Sequence, residues 1–358
     1  MRILHAITSL YTGGAEHLIV DLLPRLCNNG ENQVELLLIN GVKTPFKNRI
    51  EDLGVNVTAL SNTNDVYNIR NLIRIRKFFK ENEFDIIHTH NTPCQFYIPL
   101  SRFFLNNRRT LLVTTEHSSN NRRRTKWWFR PIDQWMYNQY DAIVCIADQT
   151  RQNLEQYIGK KDNIYTISNG VDVSRFLKPV KDIADSKRFV ITMVAGLRVE
   201  KDHETLLRAM THLPDGYHLQ LVGDGERRAE LKAYCQELGV EQRVSFMGVR
   251  LDVPEILDQS DVIVLSSHWE GLSLSSIEGM SSGRPFIASD VDGLREMVGG
   301  AGLLFRHGDD KDLANRIQWV CEHPNEYREV AKRCQEKAKQ YDISIMARKY
   351  LELYRRIL

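Results

Sequence analysis

Two carboxylates, Glu270 and Glu278, frame the stretch Glu270-Gly-Leu-Ser-Leu-Ser-Ser-Ile-Glu278. The apolar run Asp261-Val-Ile-Val-Leu-Ser266 precedes it. Ile277-Glu-Gly-Met-Ser-Ser282 reads as a short helix closed by Gly283-Arg284-Pro285, and a second apolar run, Phe286-Ile-Ala-Ser289, follows. The pattern predicts strand, loop, helix, turn and strand, with both carboxylates at the mouth of the helix. In open α/β sheets ligands bind at the carboxyl ends of strands, where helix N-termini offer free N–H groups and a positive dipole end. Glutamates in that position suit sugar hydroxyls and the neighbouring amides suit phosphate, which points to a sugar nucleotide. The simpler alternative is a loop acid plus an acid that favours a helix N-terminus by about 0.3–1 kcal/mol. The residues around the pair decide between the two.

Arg198 and Lys201 end the run Val194-Ala-Gly-Leu-Arg-Val-Glu-Lys201, just before a helical pattern. Two cations at a strand's C-terminal edge can neutralise a diphosphate, through bonds worth about 1.5–3 kcal/mol each. A solvated basic loop is the alternative, but this strand end should lie near the one that bears Glu270. Gly13-Gly14 follows the first strand and opens a helix, where a bare backbone can approach phosphate closely. It is not a GxGxxG dinucleotide fingerprint, and a plain turn explains it as well. His88, His90 and Glu116-His117 end two further strands. His88-x-His90 places two imidazoles on one strand face, yet no Cys or carboxylate completes a metal set, so no metal site is expected. Asp290-Val-Asp292 is read as an acidic turn before Gly293. Arg122-Arg-Arg-Thr-Lys-Trp-Trp-Phe-Arg130 is the densest basic and aromatic run. It suits an anionic membrane surface or a lipid-diphosphate acceptor, or else a helix whose aromatics face the core.

These groups need a scaffold of parallel strands. Candidate strands are 2–7, 34–39, 85–89, 111–115, 142–146 and 163–167, then 189–195, 219–222, 244–247, 262–265 and 286–288. Helical patterns alternate with them at 15–28, 68–81, 92–104, 127–139, 148–156, 203–210, 226–238, 253–259 and 275–281. That alternation predicts βαβ units, and 358 residues exceed one ordinary core. The chain therefore divides into residues 1–175 and 176–342, joined near 173–188 and facing each other across a deep cleft, with helix 343–358 able to return to the first domain. Residues 1–175 carry 22 Lys+Arg against 17 Asp+Glu, and the remainder 26 against 29, so the halves are +5 and −3 within a net +2. A basic half suits an anionic partner or surface. No apolar stretch reaches the roughly 20 residues needed to span a bilayer. Six cysteines without CxxC spacing read as buried reduced thiols of a cytoplasmic protein.

In this order the segments resemble the GT4 family of retaining glycosyltransferases over nearly the whole chain. They are Gly13-Gly-Ala-Glu16, Asp85-Ile-Ile-His-Thr-His90, Thr115-Glu-His117, Ser168-Asn-Gly-Val-Asp172, Lys201-Asp-His-Glu-Thr-Leu-Leu207, Leu221-Val-Gly-Asp-Gly225, Phe246-Met-Gly248 and the Glu270/Glu278 pair. The resemblance implies the GT-B fold, two facing Rossmann-like α/β domains. It gives the ribose hydroxyls to Glu278, donor-sugar hydroxyls to Glu270, and the diphosphate to Lys201 and an arginine. Backbone near Gly13, Gly14, Gly271, Leu274 and Ser275 assists, Arg250 joins the donor set, and His117 lines the sugar site. Where the family often has arginine, five residues before the lysine, this chain has Gly196, and Arg198 supplies the charge instead. Asp292 stands where a small residue is usual.

The expected activity is metal-independent transfer, with retention, from a nucleotide sugar carried by UDP to a lipid-linked glycan. Capsule, O-antigen or exopolysaccharide synthesis is the setting. No cofactor and no nucleic-acid partner is expected, and Arg122, Arg123, Arg124, Lys126, Trp127 and Trp128 would meet the acceptor or the inner membrane face. Alternatives are a nucleotide-sugar epimerase of the same architecture and transfer to a small soluble acceptor.

Overall fold

The computed structural model describes residues 1–11, 14–27, 30–42, 44–63, 65–102, 110–117, 124, 126–183 and 186–358. The chain forms two compact units, Met1–Gly170 with Ile343–Leu358, and Val171–Asp342. Each is an α/β layer structure on one parallel sheet.

The first sheet comprises β1 (Arg2–Ile7), β2 (Gln33–Leu38), β3 (Asn56–Ala59), β4 (Ile86–His90), β5 (Leu111–Glu116), β6 (Ala142–Cys145) and β7 (Ile164–Thr166). Its spatial order is β3-β2-β1-β4-β5-β6-β7. The second comprises β8 (Phe189–Val194), β9 (Tyr217–Val222), β10 (Val244–Gly248), β11 (Val262–Leu265), β12 (Phe286–Ser289) and β13 (Leu303–Phe305), in the order β10-β9-β8-β11-β12-β13. Central strands such as β4, β6, β11 and β12 are buried on both faces, as parallel sheets covered by crossover helices require. Strand order reverses once in each sheet, between β1 and β4 and between β8 and β11, and ligands of such sheets gather there.

The division between units falls at Gly170, ahead of the expected join. Val171, Val173, Phe176 and Ile183 are buried in the second core, and Arg284 Nη1 donates to the Pro179 carbonyl at 3.0 Å. Residues 171–183 are thus packed against the second core. Helix Ile343–Ile357 belongs to the first unit, anchored by the fully buried Tyr350 and Tyr354. A buried tyrosine removes about 150–250 Å² from water and needs a partner for its hydroxyl. The edge strands β3 and β13 are short and partly exposed, too weakly patterned for the periodicity to reveal.

Candidate functional site

At the second switch point β8 and β11 pair directly, Val262 with Ile191 and Ile263 with Thr192. Their C-terminal loops are tied together. Ser266 Oγ donates to the Asp202 carbonyl at 2.8 Å, and the His268 amide donates to the Glu200 carbonyl at 2.9 Å. The Lys201 ammonium therefore meets the Glu270 carboxylate in a charge-assisted hydrogen bond, and Ser267 Oγ donates to the same oxygen at 2.8 Å. The two side chains are only 19% and 10% exposed, so the pair is screened far less than a surface ion pair. Asp202 holds a left-handed backbone (φ 47°) and caps helix His203–His212, accepting the Thr205 amide at 3.2 Å. Gly293 pins the other side of the Glu270 loop. Its φ is +83°, and a Cβ there would lie 2.6 Å from the Glu270 carbonyl oxygen and 2.7 Å from that of Gly271.

Helix Leu274–Ser281 begins directly after this loop. Gly279 seats it on the sheet, since a Cβ would lie 2.7 Å from the Phe286 ring and 2.9 Å from Ile263 Cγ2. Leu274 and Ser275 occupy its first turn and offer its free amides, whereas Glu278 lies one turn further into the helix, so only Glu270 of the two carboxylates stands before the helix mouth. Sequence reasoning did not single out Ser276, whose buried Oγ has no hydrogen-bond partner in this first turn. A buried orphan hydroxyl costs about 1–3 kcal/mol unless something pairs with it.

Arg198 precedes the short turn Val199–Lys201; its side chain is 67% exposed and only 3.9 Å from Glu200. It is available to an anion in a way a buried arginine is not. At Gly196 a Cβ would meet nothing closer than 3.6 Å, and the Arg198 Nε lies 3.7 Å away. The Arg198 side chain thus passes over the space a residue-196 side chain would enter. Arg250 stands apart: it follows β10, the sheet edge, and forms a bidentate pair with Asp252 on an exposed turn. Three strand spacings of about 4.8 Å separate β10 from β11. Asp292 is 81% exposed and pairs with Arg295 at 3.1 Å.

At the first switch point four imidazoles form a line. His117 Nε2 lies 2.9 Å from His90 Nδ1, and His90 Nε2 lies 2.9 Å from His5 Nδ1. Tyr354 Oη lies 2.5 Å from His88 Nδ1 and 3.4 Å from His5 Nε2. His88 Nε2 meets Thr115 Oγ1 at 2.7 Å, which in turn meets Tyr350 Oη at 3.0 Å. Burial lowers His5 to about 3 and His117 to about 4, and holds His88 and His90 well below the usual imidazole range. All four are neutral at physiological pH. His5, His88 and His90 are close enough to hold a metal ion. Yet each of their six ring nitrogens already faces a protein partner or another ring of the set.

Glu116, next to His117, is buried and accepts from Gln95 Nε2 (2.7 Å), Tyr137 Oη (2.6 Å) and Arg124 Nη2 (2.9 Å). This corrects the reading of Arg124 as a membrane residue: its guanidinium is 11% exposed and compensates a buried carboxylate. Lys126 and Trp127 are exposed, Trp127 by 85%, and Lys126 Nζ lies over the Trp128 ring at 5.6 Å. Gly13, Arg122 and Arg123 lie outside the described residues. Gly14 is the exposed first residue of helix Gly14–Leu26. A second basic and apolar surface went unnoticed in the sequence. Tyr67, Ile69 and Ile73 are exposed beside Arg70, Arg76, Lys77 and Lys80 of helix Arg70–Glu81. Its signal was present, as isoleucines outside the buried stripe of Asn71, Ile75 and Phe79. Among the described residues no helix is long and apolar enough to cross a membrane.

Two domain models match in tandem: "Glycosyltransferase Family 4" over residues 12–175 and "Glycosyl transferases group 1" over 174–341. A relative from Campylobacter jejuni, N,N'-diacetylbacillosaminyl-diphospho-undecaprenol alpha-1,3-N-acetylgalactosaminyltransferase, is 29% identical over 59% of this chain and 60% of its own. An Escherichia coli relative, UDP-Gal:alpha-D-GlcNAc-diphosphoundecaprenol alpha-1,3-galactosyltransferase, is 27% identical over 66% of this chain and 65% of its own. The chain thus spans under two thirds of the length of these relatives. Among solved structures, Anabaena HepE in complex with UDP-glucose superposes with a TM-score of 0.85 at 22% identity, over 99% of both chains. Sucrose-phosphate synthase from Thermosynechococcus elongatus gives 0.83 at 20% identity, over 100% of this chain and 99% of that one. These likenesses establish the GT-B fold.

Proposed function

We propose that this chain, which belongs to the glycosyltransferases described by those two domain models, transfers a sugar from a UDP-sugar to a lipid-linked glycan with retention of anomeric configuration. The observation that carries the reading is the Lys201–Glu270 pair, held where β8 and β11 part beneath the mouth of helix Leu274–Ser281. Lys201 and the exposed Arg198 face the diphosphate, together with the helix amides and backbone of Gly271, Leu274 and Ser275. Glu270 takes donor-sugar hydroxyls and Glu278 the ribose. His117 and Gly14 take the sugar-side and phosphate-side roles that the family resemblance implies.

In the proposed step the bond from the anomeric carbon to the β-phosphate oxygen breaks, and a bond to the acceptor oxygen forms on the same face. The acceptor's hydroxyl proton passes to the departing phosphate. Cations and a helix dipole aimed at that phosphate stabilise the charge as it develops. No carboxylate attacks carbon one, in contrast to retaining glycosidases, and no metal is required. The acceptor lipid would be met at a membrane surface, for which the exposed Lys126 and Trp127 and the basic helix Arg70–Glu81 are suited. Both relatives named above carry diphospho-undecaprenol in their names, which supports a lipid-linked acceptor.

Thermal stabilisation by UDP, GDP, ADP and their sugar conjugates, with and without magnesium, tests the donor. A ligand at 100 times Kd adds about 2.7 kcal/mol. Metal-independent stabilisation by the uridine set alone supports the reading; stabilisation by none refutes the donor assignment. A product formed without acceptor would indicate epimerisation.

A further inference from the structure

The line of buried imidazoles in the first unit has a direction. A neutral imidazole carries one N–H and one bare nitrogen, so each ring can donate on one side only. Where every ring nitrogen is already engaged, one fixed proton sets all the others. His117, His90, His5, Tyr354, His88, Thr115 and Tyr350 form such a chain, with links of 2.9, 2.9, 3.4, 2.5, 2.7 and 3.0 Å in that order.

The 2.5 Å link fixes the sense. A phenol, with its pKa of about 10, is a better donor than a neutral imidazole N–H, and an imidazole nitrogen is a better acceptor than a phenol oxygen. Tyr354 therefore donates to His88 Nδ1, the nearer of its two imidazole partners. His88 must then carry its proton on Nε2, donating to Thr115, which donates to Tyr350. On the other side Tyr354 accepts from His5 Nε2–H. His5 Nδ1 then accepts from His90 Nε2–H, and His90 Nδ1 accepts from His117 Nε2–H. His117 is left with a bare Nδ1, which no described residue engages.

We propose that His90 and His5, set by Tyr354 on the C-terminal helix, are positioning residues that hold His117 in its Nε2–H tautomer and present Nδ1 as a hydrogen-bond acceptor. What Nδ1 accepts, a hydroxyl of the sugar or of the glycan acceptor, rests on the function proposed above; the tautomer does not. Burial keeps the rings neutral, and a neutral line of this kind transmits a tautomer where a charged one would not. The chain also gives the returning helix a role beyond packing, since Tyr354 in the middle of the line and Tyr350 at its end both belong to that helix.

Selective ¹⁵N-histidine labelling of the full chain, with His117 identified by the signal lost in His117→Gln, reads the tautomer directly. The wild type is expected to show a protonated Nε2 and a bare Nδ1. Tyr354→Phe removes the fixed donor and strands His5 Nε2–H without an acceptor. The line then reverses, and His117 carries its proton on Nδ1. Tyr350→Phe removes only the terminal acceptor and leaves the tautomer as it was. Affinity for UDP-sugar or for the acceptor is expected to fall about fivefold in Tyr354→Phe and not in Tyr350→Phe, the scale of one lost hydrogen bond. Nδ1–H in the wild type, or an unchanged tautomer in a folded Tyr354→Phe, overturns the proposal. So does one tightly bound zinc per purified chain, since three of these rings would then be ligands. Correct tautomers without any binding of sugar nucleotides would instead refute the proposed function and leave the relay standing.

Discussion

Replacing Lys201 with methionine keeps the apolar stem and removes the charge from the most enclosed ion pair at the second switch point. Glu270, 10% exposed, would keep a donor within its own loop, Ser267 Oγ at 2.8 Å. Breaking a fully buried pair costs about 3–5 kcal/mol, and an exposed pair couples by about 0.2–1 kcal/mol. With Lys201 at 19% exposure, water reaches the ammonium in part, which places the coupling at about 1.5 kcal/mol between those limits. Urea unfolding of Lys201→Met, Glu270→Gln and the double variant measures it as a cycle, with the double variant more stable than the sum of the singles predicts. Turnover should separate from stability. The loss of a charge-assisted bond to the departing diphosphate, about 1.5–3 kcal/mol, lowers kcat by about 10- to 150-fold in Lys201→Met, also at temperatures where the protein is fully folded. A coupling below about 0.3 kcal/mol would mean that the pair is ordinary surface electrostatics. Unchanged turnover would remove Lys201 from the chemistry and the proposed mechanism with it.

Gly293→Ala should destabilise by more than the roughly 1–2 kcal/mol of a strained positive φ, because its Cβ would press on the Glu270 and Gly271 carbonyls; a thermal midpoint within a degree of wild type would contradict that packing. Stability should fall steeply as pH drops from 6.5 towards 4. His5 and His117 titrate at about 3 and 4 in the folded chain, with His88 and His90 also lowered, so the unfolded state takes up protons first, at up to about 1.4 kcal/mol per pH unit for each ring. Denaturant midpoints that stay flat between pH 7 and 5 would refute neutral burial of these rings. Lys126→Gln with Trp127→Ser should weaken binding to anionic vesicles about fivefold or more, on the scale of about 1 kcal/mol per surface cation, while donor hydrolysis persists; unchanged vesicle binding would move the membrane role elsewhere, with helix Arg70–Glu81 the next surface to neutralise.

Much of this was legible from local pattern because parallel strands buried on both faces leave continuous apolar runs. β4, β5, β11 and β12 were found to within a residue or two for that reason, and the adjacency of the Lys201 and Glu270 strand ends followed from the way such sheets are wound. Edge strands β3 and β13, half wet and three or four residues long, leave no such run. Arg124 illustrates a different failure. Its neighbours in sequence are cations and tryptophans, which argued for a surface, while its neighbour in space is the buried Glu116 of β5. A charge run is read as solvated unless the carboxylate that claims one member can be seen, and that carboxylate looked like part of a different motif.

The histidine line lies one step further from local pattern. The spacing of His88 and His90 correctly put both rings on one face of a strand, and there the local information stops. His5 arrives because β1 and β4 are neighbours at the strand-order reversal, with His5 in register with His88. Tyr350 and Tyr354 arrive because the final helix returns from beyond the second unit. No period or motif encodes a contact between residues 88 and 354, yet the burial that this contact completes is what makes the imidazoles neutral and gives their hydrogen bonds a single sense. The C-terminal helix could be replaced by any amphipathic segment if it served packing alone. Its two hydroxyls, Tyr354 between His5 and His88 and Tyr350 at the end of the line, are what a purely apolar replacement would lose.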